Sequence, residues 1–465
     1  MTRGTFTRQR LDGRVKPGHD RVCRGGRLTR RAALALPLAI TGCGLFNGDW
    51  FGSNKVPLPG KREPVLAAEN VLAITSGTPT VVLPPPVRNA AWPQPGGNPA
   101  HFMGNLQARP MLAEVWEESI GAPGGYRQKI LAQPVSAGGL VYTMDSDARV
   151  TCYSLSNGAR RWRVETKDED TTSSNIGGGL GLADGRLYTV NGLGDVVVLD
   201  PARGKTIWRV NVKEPVRGGP TIVQGRLFLT TIADRIIALE TTSGRELWRY
   251  QATNAQTAML GEPAPAFSDG LVVVGFASGE LTALRADAGT VVWTDNLVAP
   301  TVGGGLLDVN SIRGMPVISG TQVFAIGDGG LVVSNDLHSG RRIWEHPIAG
   351  EDSPYVAGDW VFLITLEQVL VAIHGPDGAI AWLRQLPQYR DEKKKRNPIV
   401  WFGPTLTGDR LVVTGTNNEA LAVSPFTGRI LGGQKLSGAA APVQPVIVDG
   451  TLLLITEDGR LLALR

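Results

Sequence analysis

Residues 217–250 read RGGPTIVQGRLFLTTIADRIIALETTSGRELWRY. Short apolar runs (TIV, RLFLTT, RIIALE, ELWRY) are separated by QG, IAD and TTSG, which carry the turn formers Gly and Asp. Period-two apolar runs broken by such residues read as four short antiparallel strands. The closing phrase SGRELW recurs as NGARRW (157–162), RGKTIW (203–208), AGTVVW (288–293), SGRRIW (339–344) and DGAIAW (377–382). Fixed-period self-similarity of this kind calls for counting repeats before counting domains.

The markers are Trp116, Trp162, Trp208, Trp248, Trp293, Trp344 and Trp382, with Gly432 in the equivalent place of FTGRILGG. Their seven intervals average about 45 residues, the length of a four-stranded propeller blade. LAEVWEES (112–119) has no inner strands before it, and PVIVDGTLLLITEDGRLLALR (445–465) has no marker strand after it. Joined, the two pieces complete an eighth blade and remove the open edges of the ring. The expectation is an all-β, eight-bladed propeller of four-stranded antiparallel blades over residues 92–465. Within each unit, Gly makes the turn, and Trp on the outermost strand covers the seam between blades.

The net charge of +5 does not belong to this repeat domain. Residues 1–42 hold ten Lys/Arg and two Asp/Glu, leaving 37 basic against 40 acidic residues beyond them. Nucleic-acid binding loses its compositional support. The segment reads as an export signal: Arg30 and Arg31, the apolar AALALPLAI (32–40), then ITGC (40–43). Nine apolar residues are too few to span a bilayer. The paired arginines are also compatible with twin-arginine export, and LDGRVKPGHD (11–20) suggests a translation start further downstream. Residues 43–91 carry a run of prolines, including Pro84-Pro85-Pro86, and read as an extended tether.

Chemistry is sparse. His19, His101, His338, His346 and His374 show no metal-binding spacing, so no metal is expected. The glycine clusters at 177–181 and 303–305 lack the residues of a phosphate loop and read as turns that open blades. KDED (167–170) and the basic RDEKKKR (390–396) read as solvated loops. Cys152, in VTCYSL, reads as a small core residue.

The Gly-x-x-x-Trp phrase resembles the repeat of pyrroloquinoline-quinone (PQQ) dehydrogenases. Those enzymes typically show an adjacent Cys-Cys pair, calcium ligands and long insertions, and this chain has no Cys-Cys and near-minimal blades. No cofactor and no catalytic residue is therefore expected, with a quinoprotein dehydrogenase or a ligand-binding periplasmic propeller as the alternatives. ITGC resembles a bacterial lipobox, which implies lipid attachment at Cys43.

With the tether and propeller, the chain resembles the BamB family of outer-membrane β-barrel assembly lipoproteins. GEPAPAFSDGLVVVGFASGELTAL (261–284), the DVN to PVI segment (308–318) and the C-terminal DGTLLLITEDGRLLALR (449–465) carry the resemblance. It implies a non-enzymatic scaffold on the periplasmic face of the outer membrane. Its partners would be a POTRA domain of a BamA-like barrel protein, other assembly subunits, and unfolded outer-membrane proteins. By the same resemblance, contact residues fall on Thr257, Met259 and Leu260 in QTAML, and on Asp308, Asn310 and Arg313 in LLDVNSIRG. The family pattern carries a basic residue where this chain has Leu260, and paired acids where it has Asp308 and Asn310. Met259 and Leu260, apolar in a loop, suit a recognition patch.

Overall fold

The period-two apolar runs pair as expected, giving eight four-stranded antiparallel sheets. The structure, a computed structural model, describes residues 72–465 except 110–111, 126–127, 169–170, 172, 256–260, 262 and 300–309. Blade 3 is typical: Thr221–Val223, Arg226–Thr231, Arg235–Glu240 and Glu246–Gln251 run from the channel outward. Blade 8 takes Val446–Val448, Thr451–Ile455 and Arg460–Leu464 from the C-terminus, and its outer strand Glu114–Ser119 from the other end of the domain. Reciprocal hydrogen bonds between Ala113 and Arg465, each 2.8 Å, extend that pairing past the strands. The ring is closed by two segments more than 300 residues apart in sequence.

Every marker Trp sits at the same register. Trp116, Trp162, Trp208, Trp248, Trp293, Trp344 and Trp382 stand opposite Ala463, Cys152, Val198, Ala238, Ala283, Ser334 and Ala372, each just before a bulge. Gly432 holds the eighth such place, opposite Ala422. The facing residue is small because the indole must lie flat over the sheet toward the next blade. Cys152, fully buried, is one of these small residues, as its sequence context indicated.

The turn glycine and the Trp are two halves of one contact. A Cβ at Gly158, Gly204, Gly244, Gly289, Gly340, Gly378 or Gly428 would strike the Trp of the preceding blade at 2.5–2.9 Å. All seven glycines have φ between 66° and 78°. Six of the seven indoles also donate Nε1–H to a backbone carbonyl of the neighbouring blade, as Trp248 does to Ala286 at 3.0 Å.

Two sequence expectations are corrected. The tether to residue 91 is too long, because described chain from Leu72 onward lies on the propeller. Leu72 packs against the core of blades 5 and 6, Thr75 N donates to Ile380 O at 2.9 Å, and Val81 is buried among blade 6 and 7 residues. Val87 N, in turn, donates to Asn105 O at 2.9 Å, so backbone hydrogen bonds as well as apolar contacts hold this stretch in place. The glycine cluster at 177–181 is not a turn for most of its length: Gly178–Ala183 is the inner strand of blade 2. Its glycines allow close approach, since a Cβ on Gly179 would stand 2.4 Å from Cα of Gly219 in the next blade. The basic run is a solvated loop between blades 6 and 7, as expected, and within it Tyr389–Asp391 pairs with Arg396–Pro398 as a small hairpin. The second glycine cluster, 303–305, lies outside the described residues.

Residues 92–108 complete the fold in a way no repeat announces. Trp92 exchanges backbone hydrogen bonds with Ser136 of blade 1, and Pro93 O accepts from Leu182 of blade 2. Gln94 Oε1 accepts from Ile222 N of blade 3 at 2.9 Å. Pro99 O and Ala100 O accept from Phe267 and Ile318 of blades 4 and 5, and Gly104 donates to Val356 of blade 6. Leu106 O accepts from Gly408 of blade 7, and Ala108 bridges to Gly450 of blade 8. The chain thus visits all eight blades in order. The inner edges of the blades would otherwise present unpaired amides to the channel, and this segment satisfies them.

Candidate functional site

Strand direction sorts the loops between the two ends of the channel. Loops between blades, and hairpins joining second to third strands, share one end; the remaining turns share the other with residues 84–108. The second end is therefore plugged, and the channel is a blind funnel with Pro95 at its floor. Gln133 fixes that floor. Its Oε1 accepts from Trp92 Nε1 at 3.1 Å and from Gly96 N at 2.9 Å, and its Nε2 donates to Gln444 O at 3.2 Å. The remaining cavity is about 130 Å³ and is lined by Arg217, Arg313, Glu351, Asp352 and Phe402 among others.

At the open end the structure brings together two loops that the sequence keeps some fifty residues apart. Gly261 lies in the loop between blades 3 and 4, and Arg313 lies in the loop between blades 4 and 5. A Cβ on Gly261 would stand 3.6 Å from Arg313 Nε. Arg313 Nη1 pairs with Glu351 Oε2 at 2.6 Å, its side chain 17 % exposed. Asn310, three residues earlier, packs between the hairpins of blades 4 and 5: its carbonyl oxygen would be 2.8 Å from a Cβ on Gly279, and its side-chain oxygen 3.4 Å from one on Gly329. Of the six contact residues expected from sequence, Arg313 lies at this junction and Asn310 lies between the hairpins of blades 4 and 5. Thr257, Met259, Leu260 and Asp308 lie outside the described residues.

The approach to the first loop is held firmly. Asp234, buried in the blade 3 hairpin, accepts from Ala255 N at 2.7 Å through one oxygen and from Ala277 N at 2.8 Å through the other. Ile232 of the same hairpin is 37 % exposed, an apolar side chain on this face.

Sequence reading missed the acidic side of the junction. Asp328, Glu351 and Asp352 lie around Arg313, on blade 5 and on the segment opening blade 6. Burial pushes the Asp352 carboxyl up to about 7, opposed by the amide of Gly403 at 3.1 Å, with Glu351 adding to the rise and Arg313 opposing it. Burial also raises Asp328 to about 7, again with Glu351 raising and Arg313 lowering. A weak signal was present: GEDSPYV (350–356) carries two adjacent acids, but so does KDED (167–170) before blade 2, and the pattern by itself did not mark the junction. Among the described residues no group of three or more His, Cys, Asp or Glu could hold a metal ion, and no helix is long and apolar enough to cross a membrane.

The profile of the family described as outer membrane protein assembly factor BamB matches residues 146–384, more than half of the chain. The chain belongs to the BamB family. Among its relatives, the BamB of Xanthomonas campestris pv. campestris is 30 % identical over 356 residues, covering 76 % of this chain and 85 % of that protein. The BamB of Salmonella typhimurium is 29 % identical over 357 residues, covering 75 % and 88 %. The crystal structure of BamB from Moraxella catarrhalis superposes with a TM-score of 0.65 at 19 % identity, covering 76 % of this chain and 99 % of that one. A quinohemoprotein alcohol dehydrogenase from Comamonas testosteroni superposes almost as well, with a TM-score of 0.62 at 14 % identity and 81 % of each chain. The propeller is thus shared with enzymes, while the sequence groups the chain with non-enzymatic assembly factors.

Proposed function

We propose that this protein is a scaffold of outer-membrane protein assembly, anchored by lipid on Cys43 to the periplasmic face of the outer membrane. On this reading the loop-bearing end of the propeller binds a POTRA domain of a BamA-like barrel protein and helps deliver unfolded β-barrel proteins to it. Membership of the BamB family supports the role. The observation that carries the site is the convergence of Gly261 and Arg313, which joins the two expected contact loops into one surface. Thr257, Met259 and Leu260 would supply its apolar part, with Asp308, Asn310 and Arg313 its polar part. The half-buried Arg313–Glu351 pair gives that surface an orientation-specific charge pattern. Specificity and association rate, more than affinity, are what such rim charges tune.

Tagged protein recovered from detergent-solubilised envelopes tests the reading. It should carry a barrel protein with POTRA domains, and Arg313→Glu together with Met259→Asp should reduce that recovery at least tenfold. Undiminished recovery would remove the proposed surface, and no barrel protein at all would remove the function. Cys43→Ser should move the protein from the membrane to the soluble fraction.

A further inference from the structure

Seven of the eight seams are closed by an indole lying on the turn glycine of the next blade; the eighth, between blades 7 and 8, is not. Two features are missing there together. Gly432 replaces the Trp, and a Cβ built on it meets nothing within 4 Å. The turn that would receive an indole is missing as well, because the third and fourth strands of blade 8 come from opposite ends of the domain. What remains is a mainly apolar groove of about 240 Å³ walled by Leu112, Val412, Leu421, Ala422, Leu452 and Leu464, with Arg410 and Gln434 also in its lining. Val412, Leu421, Leu452 and Leu464 are at most 8 % exposed, so the walls are core side chains seen through a gap in the surface.

The strand beside the gap, Ile430–Lys435, is also unlike its counterparts. Its sequence is ILGGQK, with Ile430 38 % and Leu431 45 % exposed, and Gly432 and Gly433 offer no side chain to obstruct its outer edge. On some other outer strands the arginines are neutralised, Arg249 by Glu246 and Arg342 by Asp295 of the neighbouring blade. Here exposed Arg429 and Lys435 bracket the apolar stretch, and neither has an ion-pair partner among the described residues. A bare strand edge with apolar flanks is a template for an added strand.

The geometry points to a second docking surface on the rim of the propeller, independent of the loop-bearing end. It takes an extended segment of another protein that pairs along Ile430–Lys435, places one aromatic side chain over Gly432 into the open seam, and carries an acidic residue on either side. The aromatic is specified by the seven sibling seams, each filled by an indole against the same small partner position. The flanking acids are specified by Arg429 and Lys435, six positions apart, which face both ends of a seven-residue antiparallel partner. Direct cross-strand pairs of opposite charge and an enclosed aromatic add to the backbone hydrogen bonds.

The test uses the full chain and fluorescein-labelled peptide Glu-Thr-Val-Trp-Val-Thr-Glu, read by fluorescence anisotropy. Saturable binding is expected, weakened at least tenfold when the peptide Trp is replaced by Ala. Gly432→Trp, which fills the gap from within as in the other blades, should weaken it at least as much without lowering the thermal midpoint. A double variant with Arg429→Glu and Lys435→Glu, both at exposed positions, should reverse the preference toward the peptide flanked by Lys. This variant keeps the test open if Gly432→Trp folds poorly. No binding to the wild type, equal binding of the Ala peptide, or a double variant that still prefers the acidic peptide would overturn the proposal. So would wild-type self-association in sedimentation that Gly432→Trp abolishes, since the occupant would then be a second copy of this chain.

Discussion

Trp208 of blade 2 lies on Gly244 of blade 3: a methyl group at Gly244 would stand 2.7 Å from Cζ3 of the indole. The same relation repeats at seven seams, and it explains the spacing of the repeat. Gly244 opens the phrase SGRELW and receives the preceding blade, while Trp248 closes it and covers Gly289 of the following one. Each phrase is therefore a socket and a plug, and a glycine is required both by its φ of 72° and by the ring above it.

The two requirements can be separated. Gly270, at φ 77°, has no atom within 4 Å of a built Cβ, whereas Gly244 has the indole. Gly270→Ala should cost about 1–2 kcal/mol from the left-handed backbone alone, and Gly244→Ala about 1–3 kcal/mol more from overpacking. Urea midpoints at constant slope would report the difference. Equal losses would mean that the ring contact is not tight.

The segment that lines the inner edges of the blades should behave as a fastener. Gln94 is 4 % exposed, and its side chain is the acceptor for Ile222 N, so Gln94→Ala leaves a buried amide unpaired at a cost of about 1–3 kcal/mol. Removing residues 72–108 entirely should lower the thermal midpoint far more and broaden the transition, as measured by calorimetry. A deletion that melts like the intact chain would show that the blades hold the ring by themselves.

Acid titration should reveal the carboxyls near Arg313. Asp352 and Asp328 rise to about 7 in the folded protein from an ordinary value near 3.8, so the folded state holds protons that the unfolded chain has released. Their contribution is complete below about pH 4 and is lost as pH rises toward 7. The wild type should therefore lose stability relative to Asp352→Asn across that window. Buried His101, lowered to about 4, acts in the opposite sense, losing stability as pH falls below about 6.5, and is common to both proteins. Thermal midpoints of the two at pH 4, 5, 6 and 7 check this, and a constant difference would contradict it.

Ring closure should be cooperative with the whole domain. Ending the chain at residue 459 removes the third strand of blade 8, including Arg460, which pairs with Glu117 across the closure. Blade 8 would then keep an outer strand with nothing to pair with, and hydrogen exchange should speed up in blades 1 and 7 as well as in blade 8. Faster exchange confined to blade 8 would mean that the ring tolerates an open blade.

The propeller was legible because its repeat is local: each blade is written in one stretch of about 45 residues, with turns and alternation that need no distant partner. The candidate site was only half legible. Asn310 and Arg313 were placed by resemblance, but Glu351, which orients Arg313, comes from the next blade opening and shows no spacing relation to it. The glycine cluster at 177–181 was misread because glycine permits turns and close strand approach alike, and only the presence of Gly219 opposite decides between them.

Sequence alone determined the number of blades, their closure by the two ends of the domain, and the single missing Trp at Gly432, because each is a count along the chain. Tertiary structure decided that residues 92–108 plug the channel, that Arg313 meets Gly261, and that the eighth seam is open to solvent. Those depend on which edges remain unpaired once the ring has closed, and an unpaired amide or an empty seam leaves no mark on local sequence pattern.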